Sequence, residues 1–194
     1  MRHGSFVLGY HGCDRALGEK VLAGEVDLVP SNNDYDWLGS GIYFWENNPQ
    51  RALDWARLVQ RHGKRSRQRI REPFVIGAVL DLGECLDLLE SSSIRLVEDA
   101  YDSLSDSLLK IGAVPPVNVP VDGEPAVRRL DCAVIEYTHR ARADSGKPPF
   151  DAVRAAFPEG AALYPGAGFQ RRTHIQISVR STAQIIGYFR LRTK

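Results

Sequence analysis

The sequence predicts an α+β fold, a central split antiparallel sheet flanked by helices, in a single domain spanning residues 1–194. Three observations carry that expectation. An apolar run, "SFVLGYHG", opens the chain. The apolar positions from Ile94 to Ile111 step by three and four. Two alternating runs, "THIQISVR" and "QIIGYFRL", close it. A chain of 194 residues buries roughly 70% of its unfolded surface on folding, enough for a core without metal or disulfide support.

The elements follow in order. "SFVLGYHG" ends at a glycine-containing turn and reads as a strand. "DRALGEKVLAG" reads as a helix, with Asp14 as N-cap and Gly24 as its stop. "GIYFWE" is a short strand or a turn. Asn48 then caps a helix with Pro49 in its first position, and Ala52, Trp55, Ala56 and Val59 form its apolar face. "RHGKRSRQRIRE", residues 61–72, has no periodicity and is expected to be an exposed loop. "PFVIGAVLDLG" is a buried strand. Ile94, Val97, Tyr101, Leu104, Leu108 and Ile111 mark an amphipathic helix with acids on its wet face. The proline-rich "AVPPVNVPVDGEP" is expected to be an irregular connection. "LDCAVIEYTH" is a strand or the start of a buried helix. "PFDAVRAAFPEGAALYPGAGFQRR" reads as a short helix followed by a loop.

Charge and cysteine usage narrow the function classes. No segment approaches about 18 uninterrupted apolar residues, so no membrane partner is expected. "MRHGSFVLGYHGCD" lacks a signal-peptide pattern, and the odd, scattered Cys13, Cys85 and Cys132 match neither a zinc site nor a disulfide framework. Both point to the cytoplasm, with no metal. Cys13, close to His11, is read as a small buried thiol and not as a nucleophile. The net charge is near zero, yet residues 61–72 hold six basic residues against one acid. No acid occurs from Phe169 to Lys194, whereas residues 81–106 carry eight acids and one arginine. A basic side able to meet phosphates follows.

The densest stretch is "DYDWLGSGIYFWENN", where Tyr35, Trp37, Tyr43, Phe44 and Trp45 surround Gly39 and Gly41. Aromatic side chains beside glycines suit a flat ligand approached closely by backbone. Read jointly, the histidine of "GYHG", the tyrosine of "GSGIYF" and the glutamine of "THIQISVR" resemble the ADP-ribosyltransferase superfamily in its poly(ADP-ribose)-polymerase-like branch. That branch is marked by a His-Gly on a first strand, a "G-x-G-I-Y-F" tyrosine and a glutamate on a late strand. Here these positions are His11, Tyr43 and Gln176, in the expected order, and "HIQISVRSTAQIIGYF" resembles the family's last strand pair.

The resemblance implies NAD as co-substrate. Tyr43 would stack on the nicotinamide ring, and Trp55, twelve residues later, would close its other side. Gly12 would offer backbone groups to the carboxamide, and His11 would bind ribose hydroxyls of the adenosine half. Ser40 and Gly41 would let backbone pass close to the cofactor. The implied reaction cleaves the nicotinamide–ribose bond and transfers ADP-ribose to a target. The family glutamate supplies negative charge to a transition state that develops positive charge. Gln176 departs from that pattern. Its carbonyl still accepts a hydrogen bond, but the lost charge weakens that bond by roughly half. Single ADP-ribose units, not polymer, are therefore expected, with Glu136 a possible source of charge from a neighbouring element. In the family the loop before this strand faces the target, which makes Tyr164, Phe169, Arg171 and Arg172 candidate acceptor contacts.

The resemblance further implies a bacterial toxin or effector of a defence or toxin–antitoxin module, with a neutralising antitoxin as partner. Its acceptor is nucleic acid or protein, the basic surfaces tilting toward nucleic acid. A second expectation is a non-catalytic module of the same fold that binds NAD or ADP-ribose. A related RNA 2′-phosphate transferase is the third, and Tyr43 in "GIYF" argues against it.

Overall fold

The computed structural model describes residues 6–61, 69–121 and 124–192. Strand β1 (Phe6–Asp14) runs directly into helix α1 (Arg15–Leu22). Asp14 ends the strand and caps the helix, its carboxylate accepting the Ala16 N–H at 3.0 Å. Gly24, at φ +72°, turns the chain away. Strand β2 (Ile42–Glu46) precedes α2 (Pro49–Arg61), where Asn48 accepts the Arg51 N–H at 3.1 Å. Ala52 and Ala56 form the buried part of that helix. Then follow β3 (Pro73–Asp81), the short β4 (Cys85–Asp87) and the long α3 (Ser91–Lys110). Residues 62–68 of the basic run lie outside the described residues.

Four expectations need correction. The proline-rich segment is not irregular throughout: β5 (Asn118–Val121) and β6 (Glu124–Arg128) pair as an antiparallel ladder. Pro120 faces Pro125 at a register shift, which a two-stranded ribbon tolerates because both strands have a free edge. "DAVRAAF" is not a helix but strand β7 (Ala152–Phe157), paired on both sides, so the ladder overrides alanine's helix preference. β8 (His174–Val179) and β9 (Ile185–Arg190) are not a neighbouring pair; β8 lies between β7 and β2, and β9 on the far edge beside β3. Finally, α3 forms as expected but buries only Ala100, and Ile94, Tyr101 and Ile111 are exposed. The ambiguous "LDCAVIEYTH" is helical, within α4 (Arg129–Asp144).

The main sheet has seven strands in the order β4-β7-β8-β2-β1-β3-β9, antiparallel except for the β4–β7 pair. The protein is thus α+β, with a mixed, mostly antiparallel sheet flanked by helices. One face buries Cys13, Ile42, Phe44, Ile76, Leu80, Ile177 and Val179 with Val21 of α1. The other face is covered in two parts. Trp45 and Val75 pack under Ala52 of α2, while Val153 and Ala155 pack with Leu38 and Ile135 of α4. No helix among the described residues is long and apolar enough to cross a membrane.

The sheet is uneven where β1 meets β2. β1 pairs with β3 over nine residues, from Phe6↔Asp81 to Asp14↔Pro73. With β2 it pairs only at Gly9↔Glu46 and Tyr10↔Trp45. Beyond Tyr10 the two strands part, and β2 continues with β8 from Trp45↔Gln176 to Ile42↔Val179. Leu8 accepts the Asn47 N–H from the β2 side at 2.9 Å. By the two-residue alternation of a strand, the amide and carbonyl of Gly12 also point to that side, into the opening.

Candidate functional site

The three strands that carry His11, Tyr43 and Gln176 are neighbours, β1, β2 and β8. Register places Tyr43, Trp45, Gln176 and Ser178 on one face, since Trp45 pairs with Gln176 and Tyr43 with Ser178. His11 is on the other face, its ring 5.8 Å from that of Phe44. The fold therefore brings Tyr43 and Gln176 together on a shared surface and puts His11 at the parting of β1 from β2. There its Nδ1 lies 2.8 Å from the Tyr43 carbonyl oxygen. A carbonyl only accepts, so Nδ1 carries the proton and donates, leaving a lone pair on Nε2. Burial lowers the His11 pKa against the opposing effect of this bond, which keeps the ring neutral near pH 7.

Tyr43 is tied into the preceding turn. Its hydroxyl accepts the Leu38 N–H at 3.0 Å and donates to the Gly39 carbonyl at 2.9 Å. Burial, aided by the charge of Asp36, raises its pKa well above the ordinary phenol value. The turn is braced further by Asp36, which accepts from Ser31 Oγ at 2.7 Å and from the Asn33 N–H at 2.8 Å. Trp37 leaves this turn toward β8, and its indole Nε1–H donates to Gln176 Oε1 at 2.7 Å. This partner of Gln176, 139 residues away in sequence, was not anticipated; Trp37 stood out only as one aromatic in a dense run.

The glycine and serine positions have structural duties. A Cβ on Gly12 would stand 2.2 Å from the Ala52 carbonyl oxygen, so its absence lets α2 sit against β1. One on Gly41 would stand 2.3 Å from Ser178 Oγ and 2.8 Å from the Val179 carbonyl oxygen. The Ser40 N–H donates to Glu136 Oε1 at 2.6 Å, and Arg180 donates to the Ser40 carbonyl, to Ser40 Oγ and to Glu136. Glu136 is thus part of a clamp joining α4 to the ends of β2 and β8. Burial raises its pKa, but the bonds from Arg180 and Ser40 and the Arg180 charge outweigh this and leave it lowered. It is engaged by Ser40 and by Arg180, which lies just past the end of β8 and four residues along the chain from Gln176, so it does not supply charge there.

Trp55 faces Trp45, with ring centroids 5.8 Å apart, and not Tyr43. Beyond Trp45 the aromatic series continues through His174, at 6.3 Å, and Phe157, 5.2 Å from His174. Here polar groups are left over. Trp45 Nε1, His174 Nε2 and Arg51 Nε are buried without a hydrogen-bond partner among the described residues. His174 Nδ1 donates to the Arg172 carbonyl at 2.7 Å, so its Nε2 is an acceptor, while Trp45 Nε1–H is a donor. A hydroxyl group can meet either need, accepting from the indole or donating to the imidazole. Glu159, beside them, is paired with Arg51 at 2.5 Å and with Arg172 at 3.1 Å.

The expected acceptor contacts lie in the loop between β7 and β8. Tyr164 and Phe169 are exposed, and the loop is closed by the Leu163 N–H bond to the Phe169 carbonyl at 3.0 Å. Arg171 is exposed and donates to the Leu163 carbonyl at 3.4 Å, and Arg172 is held by Glu159. This loop springs from the His174 end of β8, two residues from Gln176. Burial pushes Cys13 and Cys85 up to about 12 and Cys132 up to about 11, which disfavours the thiolate in all three. Two cavities lie between α3 and α4, of about 250 and 340 Å³, and neither is lined by His11, Tyr43 or Gln176. Among the described residues no cluster of three His, Cys, Asp or Glu side chains is placed to hold a metal ion.

Comparison with known proteins adds one relative. Over 190 residues the chain is 26% identical to the uncharacterized protein MJ0359 of Methanocaldococcus jannaschii, covering 91% of this chain and 83% of that one. No family model matches the chain. No solved structure matches it.

Proposed function

We propose that the protein is a cytoplasmic NAD-dependent mono-ADP-ribosyltransferase with an ADP-ribosyltransferase-like fold. The observation that carries this reading is the parting of β1 from β2. It leaves the buried Gly12 backbone edge without a pairing partner on β2, beside the His11 imidazole and one strand away from the face shared by Tyr43, Trp45 and Gln176. A carboxamide offers one donor and one acceptor, which the carbonyl and amide of an unpaired strand edge complement. Bound NAD would supply the ADP-ribosyl group and nicotinamide as its leaving group. Gly12 would hold the carboxamide, the neutral His11 would accept from a ribose hydroxyl through Nε2, and Gln176 would meet the ribose next to the bond that breaks. The unsatisfied Trp45 and His174 atoms favour a hydroxyl-bearing ligand nearby.

The exposed aromatic and basic groups of the β7–β8 loop, Tyr164, Phe169 and Arg171, suit a nucleic-acid acceptor better than a protein one. A toxin or effector role, with an antitoxin covering this end of the sheet, fits such an activity. Titration calorimetry with NAD, together with nicotinamide release in the presence of RNA, DNA or protein, tests the reading. Absence of both binding and release, in the wild type and in Gln176→Glu, would overturn it.

One observation favours the second reading, a module that binds NAD or ADP-ribose without turning it over. Gln176 Oε1 is already occupied by Trp37, and both Glu159 and Glu136 are engaged by arginines. Among the described residues, neither of these two carboxylates is then free to face the developing positive charge. Binding with no release of nicotinamide on any acceptor selects this reading over the first.

A further inference from the structure

The indole–amide contact settles a question of polarity that the residue type alone leaves open. A glutamine offers either its carbonyl or its NH2 to a ligand, depending on how the amide is turned. An indole N–H only donates, so at 2.7 Å it requires the oxygen of Gln176 and excludes the nitrogen. We propose that Trp37 is a positioning residue for Gln176: it captures the amide oxygen and leaves the NH2 as the group that position 176 presents to a ligand. Identifying that ligand with NAD rests on the function proposed above, whereas the orientation of the amide does not.

Trp37 is built to hold this geometry. Its ring lies 4.7 Å from that of Phe157, the last residue of β7. The Arg128 guanidinium sits 4.3 Å from the Phe157 ring and 5.3 Å from the Trp37 ring, attracted to the faces of both. Arg128 is in turn anchored by Asp131 at 3.0 Å, within the first turn of α4. From the other side, the turn that carries Trp37 is pinned by the Tyr43 hydroxyl and by Asp36. The indole therefore has a fixed place relative to β8, and swinging it away would break a tilted ring contact as well as a hydrogen bond.

The consequence is a site that selects for acceptors. An NH2 donor meets a ribose oxygen, a phosphate oxygen or a carbonyl, and gives little to a group that can only donate. It also places a partial positive charge where a glutamate would place a negative one. The same indole would hold a carboxylate equally well and would strengthen that bond by the charge. Trp37 thus orients whichever of the two residues stands at 176, and the side chain there decides whether the site binds or also transfers.

The test uses the full chain labelled with nitrogen-15. Its three tryptophans give three indole N–H signals, and Trp37→Phe identifies one of them by its loss. If that variant does not fold, Trp55→Phe and Trp45→Phe make the assignment by elimination. Gln176→Leu should shift the Trp37 signal toward the unbonded position and speed its hydrogen exchange at least ~10-fold. An unchanged signal would overturn the proposal. A second readout responds to the donor and not to packing alone. In Gln176→Glu, the Trp37 signal should follow the titration of the introduced carboxyl, and adding Trp37→Phe should raise that carboxyl's pKa by about one unit. No dependence on Trp37 would overturn the proposal equally. Neither readout needs NAD, so a positive result with no NAD binding would leave the positioning role standing and remove the cofactor reading.

Discussion

The two ends of β2 make the most instructive contrast in the molecule. At its start, Ser40, Gly41, Glu136 and Arg180 form a closed account of hydrogen bonds: every group named has a partner within the chain. At its other end, Trp45 and its neighbour His174 keep buried polar atoms unmatched, and Gln176 has its oxygen taken and its NH2 spare. Both ends belong to the same dense motif. The first is explained by folding alone, whereas the second is explained fully only by adding something from outside, whether water or ligand. Glycines in a motif therefore need not mark a ligand, and Gly41 is accounted for by its contact with β8.

This contrast can be broken or sharpened by substitution. The largest expected effect is at the unmatched end. Gln176→Glu should raise nicotinamide release from NAD by about 100-fold, the scale of one well-placed electrostatic contact, with little change in thermal stability; an equal rate in both proteins would remove the assigned role. Next comes acid sensitivity. Burial holds His174 at about 4, far below its ordinary 6.5. The unfolded chain then binds a proton that the folded one refuses, so stability falls as pH drops from 6.5 to 4, by on the order of 3 kcal/mol. His139, also held at about 4 by burial, adds a similar loss. Urea denaturation across this range should show His174→Leu losing less stability than the wild type, the remainder coming from His139 and His11. An unaltered pH profile would mean that His174 is not neutral in the fold.

Effects at the matched end should appear in stability. Gly41→Ala places a Cβ 2.3 Å from Ser178 Oγ and close to β8 backbone, and should cost about 1–3 kcal/mol in urea denaturation. A neutral outcome would show that β2 and β8 can move apart freely there. The smallest effect is that of Glu136→Gln. Its lowered pKa means a stabilising contribution that is present above the unfolded value and lost as pH falls through the folded one. The variant should be weaker by about 1 kcal/mol at pH 7 and indistinguishable from wild type in strong acid, because the pair is partly exposed.

Much of this was legible from local signals. Asp14, Asn48 and Pro49 announced helix starts by capping chemistry, and the apolar run of β3 marked a buried strand. Local signals failed where long-range pairing decides. "DAVRAAF" has helical composition, yet β4 and β8 claim its backbone. Nothing local told that β8 and β9, separated by a short turn, go to different places in the sheet. The stepping of α3 was read correctly as a helix, but period alone does not say how much of an apolar stripe is covered. For the site, His11, Tyr43 and Gln176 were joined only through the resemblance, and that their strands lie side by side is a matter of topology. The His11 ring on the opposite face, the Trp45–Trp55 contact and the Trp37–Gln176 bond depend on register and on a loop path that no spacing encodes.

The brief seam between β1 and β2 has a mechanical meaning as well. β9, β3 and β1 make one plate and β2, β8, β7 and β4 another, welded by two residue pairs, one loop amide and one imidazole. The apolar core that both plates share, with Phe44 and Ile177 in one cluster with Ile76 and Leu80, carries the rest of the joint, and a molecule bound at the seam would act as a splint. Amide protons of Ile42 to Phe44 should then register its arrival before any bond in it is broken.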